Sequence, residues 1–215
     1  MSTLRMQMAP PMPWVWVIRT RDSTPALYVG KLANAYFYDN IIAGQVDFLY
    51  GFGTAFIDKA TLSLRRCGGG ITAWKGTNTT FSNKYGIYIA DSKVLAANSS
   101  LINDIKESCS LGRPWNSLHR SVFMHTYFDS SILPAGYTTW QGSPNNFNNE
   151  TFMAVYDVYG PGYDQTAERT GNITQILNSK EVAPYARPID VFMTPEGHQP
   201  NIAWLDPIAA STGRP

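Results

Sequence analysis

A short unit of β-branched and aromatic residues, a polar bend and a second apolar pair recurs along this chain, and the recurrence limits the folds open to it. Ala35-Tyr-Phe-Tyr-Asp-Asn-Ile-Ile and Ala55-Phe-Ile-Asp-Lys-Ala-Thr-Leu resemble each other at a separation of about 20 residues. Gly86-Ile-Tyr-Ile-Ala-Asp-Ser-Lys-Val and Ser121-Val-Phe-Met-His-Thr-Tyr-Phe repeat the theme after longer insertions. A strand–bend–strand unit at such intervals suggests a solenoid, each turn burying its apolar face against the next. The spacing is irregular, so a β-sandwich built from the same short strands stays open as the alternative.

Composition narrows the function classes. The 215 residues suffice for one well-buried domain. Charged residues are only 15%, so polar surface must come largely from Asn, Ser, Thr and Gly, a habit of extracellular β-rich proteins. A formal charge of +1 supplies no field for a polyanion such as nucleic acid. No apolar run approaches the ~20 residues of a membrane span, and prolines interrupt the N-terminal apolar stretch, so no signal peptide is read there. Four acceptor sequons, at Asn78, Asn98, Asn149 and Asn172, favour secretion. Cys67 and Cys109 form one bridge or remain two buried thiols. His119, His125 and His198 lack ligand spacing, so no metal site is expected.

Residues 1–25 read as an atypical, disordered segment and 26–215 as one domain. After Trp140 the texture changes: Gln141 to Asn149 is a polar, Asn-rich loop. Asn172 is placed to cap a short helix whose Ile173, Ile176 and Leu177 share a face and which ends before Pro184. The Pro-rich tail beyond is expected to wrap over the domain.

Within Gly44-Gln-Val-Asp-Phe-Leu-Tyr-Gly51 one carboxylate, Asp47, stands in an apolar run. An ionised Asp there is costly without a partner, and a paired one is often a working group. Strand alternation would turn Val46 and Phe48 inward and Asp47 outward, and would send Tyr50 inward with Phe48. The plainer reading makes Asp47 a turn cap near Gly51. Downstream, Leu111-Gly-Arg-Pro-Trp115 holds Arg113 on a chain stiffened by Pro114, beside a large aromatic. A guanidinium there can hydrogen-bond Asp47 and fix its rotamer, and an indole is a platform for a sugar ring. The chain contains no Gly-x-Ser-x-Gly elbow, which argues against a serine hydrolase.

GQVDFLYG, LGRPW, Arg120-Ser-Val-Phe-Met124 and Ile132-Leu-Pro-Ala-Gly-Tyr137 with Trp140 together resemble the pectin methylesterases (pectinesterases), aspartyl esterases of carbohydrate esterase family 8. Gly68-Gly-Gly-Ile-Thr-Ala-Trp-Lys-Gly76 resembles their fungal branch. The resemblance implies an all-β, right-handed single-stranded parallel β-helix with a short C-terminal helix and wrapping loops. It implies hydrolysis of methyl esters of polygalacturonan in secreted pectin catabolism and cell-wall modification. No cofactor and no metal are implied; the partner is methylesterified pectin (homogalacturonan), not nucleic acid or membrane, and the protein is expected to be a monomer. Asp47 matches the nucleophile and Arg113 the arginine that orients it. Trp115 matches a substrate-stacking aromatic and Tyr50 an aromatic lining the cleft.

The pattern breaks one turn before the nucleophile. The family carries a Gln-Asp-Thr-Leu-Tyr-type motif there, whose Asp serves as general acid and whose Gln holds the oxyanion. Aligning Leu27-Tyr28 with it puts Thr24 at the Gln position and Pro25 at the Asp position. Three readings follow: a chain lacking its N-terminal turns, an inactive relative that binds pectin, or Asp22 in the acid's role.

Overall fold

The repeat works because each unit turns at a bend that ordinary side chains adopt reluctantly. At one corner of the chain's path, Asp39, Lys59, Asp91, His125 and Asp157 all take a left-handed φ between 47° and 52°. Asp and His tolerate that region better than most residues, and Asp fills three of the five places. Five such corners in sequence turn a row of strands into a coil. The computed structural model describes residues 26–76, 84–143, 146–194 and 199–205, with two further strands, Met6–Met8 and Val15–Ile18.

Those two strands are β1 (Met6–Met8) and β2 (Val15–Ile18). The coil then runs through β3 (Ala26–Val29), β4 (Asn34–Tyr38) and β5 (Ile41–Gly44) in its first turn. The second turn is β6 (Leu49–Gly51), β7 (Thr54–Asp58) and β8 (Thr61–Leu64). The third is β9 (Gly70–Trp74), β10 (Gly86–Ala90) and β11 (Lys93–Ala96). The fourth is β12 (Ser110–Gly112), β13 (Arg120–Met124) and β14 (Tyr127–Phe128), followed by β15 (Phe152–Tyr156) and β16 (Gln175–Ile176).

Corresponding strands of successive turns pair in parallel and form three sheets: β1-β4-β7-β10-β13-β15-β16, β14-β11-β8-β5 and β12-β9-β6-β3-β2. This is a parallel β-helix, and the solenoid reading holds over the sandwich. Ala35, Ala55, Ile87 and Ser121 are register partners across the first sheet, so the four units seen in the sequence are one structural repeat. The exceptions are β1 and β2, which pair antiparallel with β4 and β3. They lie on the outer edges of two sheets, where unpaired N–H and C=O groups would otherwise invite another strand. Two strands within the segment 1–25, expected to be disordered, thus lie each at one edge of a sheet; Asp22, Thr24 and Pro25 lie outside the described residues.

The interior of the coil is filled by Leu27, Phe37, Phe48, Leu49, Ile57, Leu62, Trp74, Ile89 and Phe123, all buried. A second apolar layer covers the outer face of the first sheet. Tyr36, Phe56 and Tyr88 stack along it, and the tail closes over them through Tyr185, Val191, Phe192 and Leu205. The tail thus wraps as the sequence suggests, through three short helices: α1 (Gln165–Gly171), α2 (Ser179–Val182) and α3 (Pro188–Val191). Asn172 ends a helix instead of starting one. Its φ of 53° makes it the left-handed C-cap of α1, a position Asn fills well, while Asp164 caps the N-terminus. The cap of the next helix is Asn178, which forms a capping box with Glu181.

Candidate active site

Asp47 sits in the bend between β5 and β6, not in a strand. Its φ is 48°, and β6 begins only at Leu49. This bend resets the alternation: Phe48 and Leu49 both turn into the core, Val46 is exposed, and Tyr50 turns out. The expectation from simple alternation fails for a local reason, because a left-handed residue breaks the two-residue period.

Three donors hold the Asp47 carboxylate. Arg113 Nε lies 3.0 Å from Oδ1 and 3.1 Å from Oδ2, and Arg113 Nη2 donates to Oδ2 at 2.5 Å. The Gly70 amide donates to Oδ1 at 3.0 Å, and Asp47 N–H returns a bond to the Gly70 carbonyl at 2.6 Å. The side chain therefore caps a turn, as the plainer reading had it, and is also paired with Arg113. Both groups keep a window to solvent, with 18% of the Asp47 side chain and 21% of the Arg113 side chain exposed. A planar fork on a carboxylate fixes the rotamers of both partners.

The third sheet explains why these residues meet. Leu49 pairs with Thr72, and Thr72 with Gly112, so Arg113 leaves the sheet one strand beyond β9. Its own N–H is held by the Thr72 carbonyl at 3.0 Å. The disulfide Cys67–Cys109 ties the loop before β9 to the start of β12, with Cα atoms 4.9 Å apart. It fastens the segment that carries Gly70 to the segment that carries Arg113.

The aromatic against Arg113 is Trp140, whose ring centroid lies 4.0 Å from the guanidinium carbon. Trp115, expected there from its place in sequence, stands further along the sheet with Tyr50 at 6.1 Å and Phe52 at 5.1 Å between ring centroids. Tyr28 continues this aromatic row at 5.1 Å from Tyr50. Lys75 Nζ lies 5.2 Å from the Phe52 ring and 5.6 Å from the Trp115 ring. Sequence reasoning gave no role to Gly70, Trp140, Phe52 or Lys75; counting register across β6, β9 and β12 is the signal that finds the last two.

Residues 133–140 reach Arg113 because they run beside β12. Leu111 N–H bonds the Gly136 carbonyl at 2.9 Å, and Thr138 N–H bonds the Gly112 carbonyl at 3.0 Å. Behind them a buried polar chain joins Trp74, His119, Ser121 and Tyr137. Burial pushes the His119 imidazole down to about 3, against the opposing effect of its bond to the Trp74 backbone, so the ring is neutral. Burial pushes the Tyr137 phenol up, so it stays protonated.

The fold and the site together define a parallel β-helix protein that carries a solvent-accessible Asp–Arg pair beside an aromatic row on one sheet. The family profile described as Pectinesterase matches residues 17–189, and the chain belongs to that family. "Probable pectinesterase/pectinesterase inhibitor 33" of Arabidopsis thaliana is 34% identical over 133 residues, covering 59% of this chain and 22% of the relative. "Probable pectinesterase/pectinesterase inhibitor 17" of the same plant is 33% identical over 162 residues, covering 73% of this chain and 30% of the relative. The solved pectin methylesterase from carrot superposes with a TM-score of 0.59 at 25% identity, covering 73% of this chain and 49% of that one. A pectin methylesterase solved in complex with a hexasaccharide shares the fold, with a TM-score of 0.58 at 24% identity over 76% of this chain and 52% of that one. The chain thus spans less than a third of those curated relatives and about half of the solved enzymes.

Proposed function

We propose that this chain acts as a pectinesterase, hydrolysing methyl esters of polygalacturonan to methanol and free uronate. The observation that carries the proposal is the Asp47–Arg113 pair, partly open to solvent beside an aromatic row. In this reading Asp47 is the nucleophile. A carboxylate oxygen adds to the ester carbonyl, and methoxide leaves with a proton from an acid. The result is an anhydride joining Asp47 to the uronate. Water then adds to the uronate carbonyl, releasing both carboxylates and two protons, one of which restores the acid. Arg113 and Gly70 hold the carboxylate in one orientation, so little reorganisation precedes attack. Trp115 and Tyr50 are the surface on which the sugar rings lie. The Cys67–Cys109 bridge and the exposed sequons at Asn98, Asn149 and Asn172 support a secreted protein.

A second reading, a pectin-binding relative without turnover, is favoured by one observation. Pro25 stands where the family's general acid is expected from the sequence, and loss of a general acid typically costs about 10²–10⁴ in rate. Methanol release from highly methylated pectin decides between the two, measured beside Asp47→Asn and Arg113→Lys. Release by the parent chain that vanishes in Asp47→Asn establishes the aspartyl esterase. Binding of pectin by a folded parent chain without release establishes the second reading.

A further inference from the structure

Resting on the esterase reading above, we propose that Lys75 determines specificity by binding the free carboxylate of a uronate unit next to the one being de-esterified. The position follows from register. Gly51 pairs with Trp74, and Lys75 N–H bonds the Gly51 carbonyl at 2.8 Å, so Lys75 leaves β9 beside Phe52. Gly112 pairs with Thr72, which brings Trp115 alongside from the other strand. The ammonium is held over both rings, 5.2 Å and 5.6 Å from their centroids.

Charge accounting separates Lys75 from Arg113. The Arg113 guanidinium is committed to Asp47 through two of its nitrogens. Lys75 has no carboxylate and no hydrogen-bond acceptor among the described residues; its partners are the two aromatic faces. An ammonium presents three donors, and two rings use none of them as a carboxylate would. The rings restrain the side chain before ligand arrives, which lowers the entropy lost when an anion binds.

Position along β9 assigns the ligand to a unit other than the one attacked. Trp115 lies two residues beyond Arg113, so their Cα atoms are at most about 7 Å apart. Gly70, which bonds Asp47, opens β9, and Lys75 follows its last residue at the Trp115 ring, so the ammonium lies along the sheet from the carbonyl that Asp47 would attack. The ligand that fits has a ring with an apolar face for Trp115 and an anionic edge for the ammonium, which describes a galacturonate unit whose ester is already gone. A methyl ester at the same place carries no charge and gains nothing from Lys75.

The test uses two oligogalacturonates, one with a single methyl ester flanked by free acids and one fully esterified, with the parent chain, Lys75→Met and Lys75→Arg. Met keeps the stem over the rings and removes the charge. The expected result is that Lys75→Met shifts the ratio of kcat/KM between the two substrates about tenfold against the flanked-acid oligomer, mainly through KM, and that Lys75→Arg restores it. Equal losses on both substrates, or no change in the ratio, would overturn the proposal in favour of a packing role. Titration calorimetry of fully de-esterified oligogalacturonate runs in parallel. If the parent chain releases no methanol from either oligomer, the esterase reading fails. Lys75 is then judged by calorimetry alone: weaker binding by Lys75→Met sustains its role, and equal binding refutes it.

Discussion

Trp140 stands against Arg113, its ring centroid 4.0 Å from the guanidinium carbon, while two nitrogens of that guanidinium are committed to Asp47. The indole supplies a π face to the same guanidinium that holds the carboxylate. A cation over an indole contributes about 0.5–2 kcal/mol. Trp140→Ala is therefore expected to lower methanol release on the order of tenfold, and Trp140→Phe to recover part of it. The melting temperature should move little, because Trp140 is only half-buried and ends its segment. A variant with full activity would remove Trp140 from the machinery.

Gly69 has no room for a side chain. A Cβ there would lie 2.6 Å from Val46 Cγ1, 3.0 Å from Arg113 Nη2 and 3.1 Å from Asp47 Oδ1. Val46 is 42% exposed and can move aside. Arg113 cannot yield without loosening its hold on the carboxylate. Misplacing a reacting group by about 1 Å can cost 10²-fold in rate. We expect Gly69→Ala to fold with near-parent stability and to lose on the order of 10²-fold in kcat, read from single-substrate kinetics and a thermal melt on the same preparation.

The Cys67–Cys109 bridge spans 42 residues and ties the two site-bearing segments together. In the chain-entropy view, a loop of that size contributes about 4 kcal/mol. Cys67→Ala with Cys109→Ala should lower the denaturant midpoint by a corresponding amount. It should also lower activity in mild conditions where the protein is still folded, since Gly70 and Arg113 lose their common anchor. Reduced stability with unchanged turnover would show that the bridge serves the fold alone.

The repeat and the pairing of Asp47 with Arg113 were legible because each is written in residue types. Apolar strands with polar bends set the coil, and an Asp in an apolar run asks for a cation. Ala35, Ala55 and Ser121 open their units in true register, and only the third unit starts one residue before its register position, at Gly86. What stayed hidden depends on contacts between distant turns or on a single torsion. The left-handed φ of Asp47 overturns the alternation that would have turned Tyr50 inward. Trp140 reaches Arg113 because residues 133–140 run beside β12, bonded to it by their backbone. Asn172 suits either end of a helix, and local sequence does not say which end it serves, so the expected N-cap is a C-cap in the fold.

Glu168 and His119 should together give the stability a flat top in mildly acidic solution. Glu168 is 2% exposed on α1, with Oε2 unpartnered, and burial first, then the charge of Asp164, raises it from 4.5 to about 8. Its native form is the neutral acid, so its contribution is complete below pH 4.5 and is lost as pH rises towards 8. His119 has the opposite sign. It is lowered from 6.5 to about 3, so its contribution is complete above pH 6.5 and is lost as pH falls towards 3. Between pH 4.5 and 6.5 the two slopes oppose each other and cancel. From pH 6.5 to 8 only Glu168 acts, and stability should fall by about 2 kcal/mol, at roughly 1.4 kcal/mol per pH unit. Glu168→Gln keeps the shape without the titration, so its urea midpoint should hold steady over that alkaline interval. A parent chain with no alkaline decline, or a Gln variant that declines as steeply, would exclude Glu168 as the group responsible.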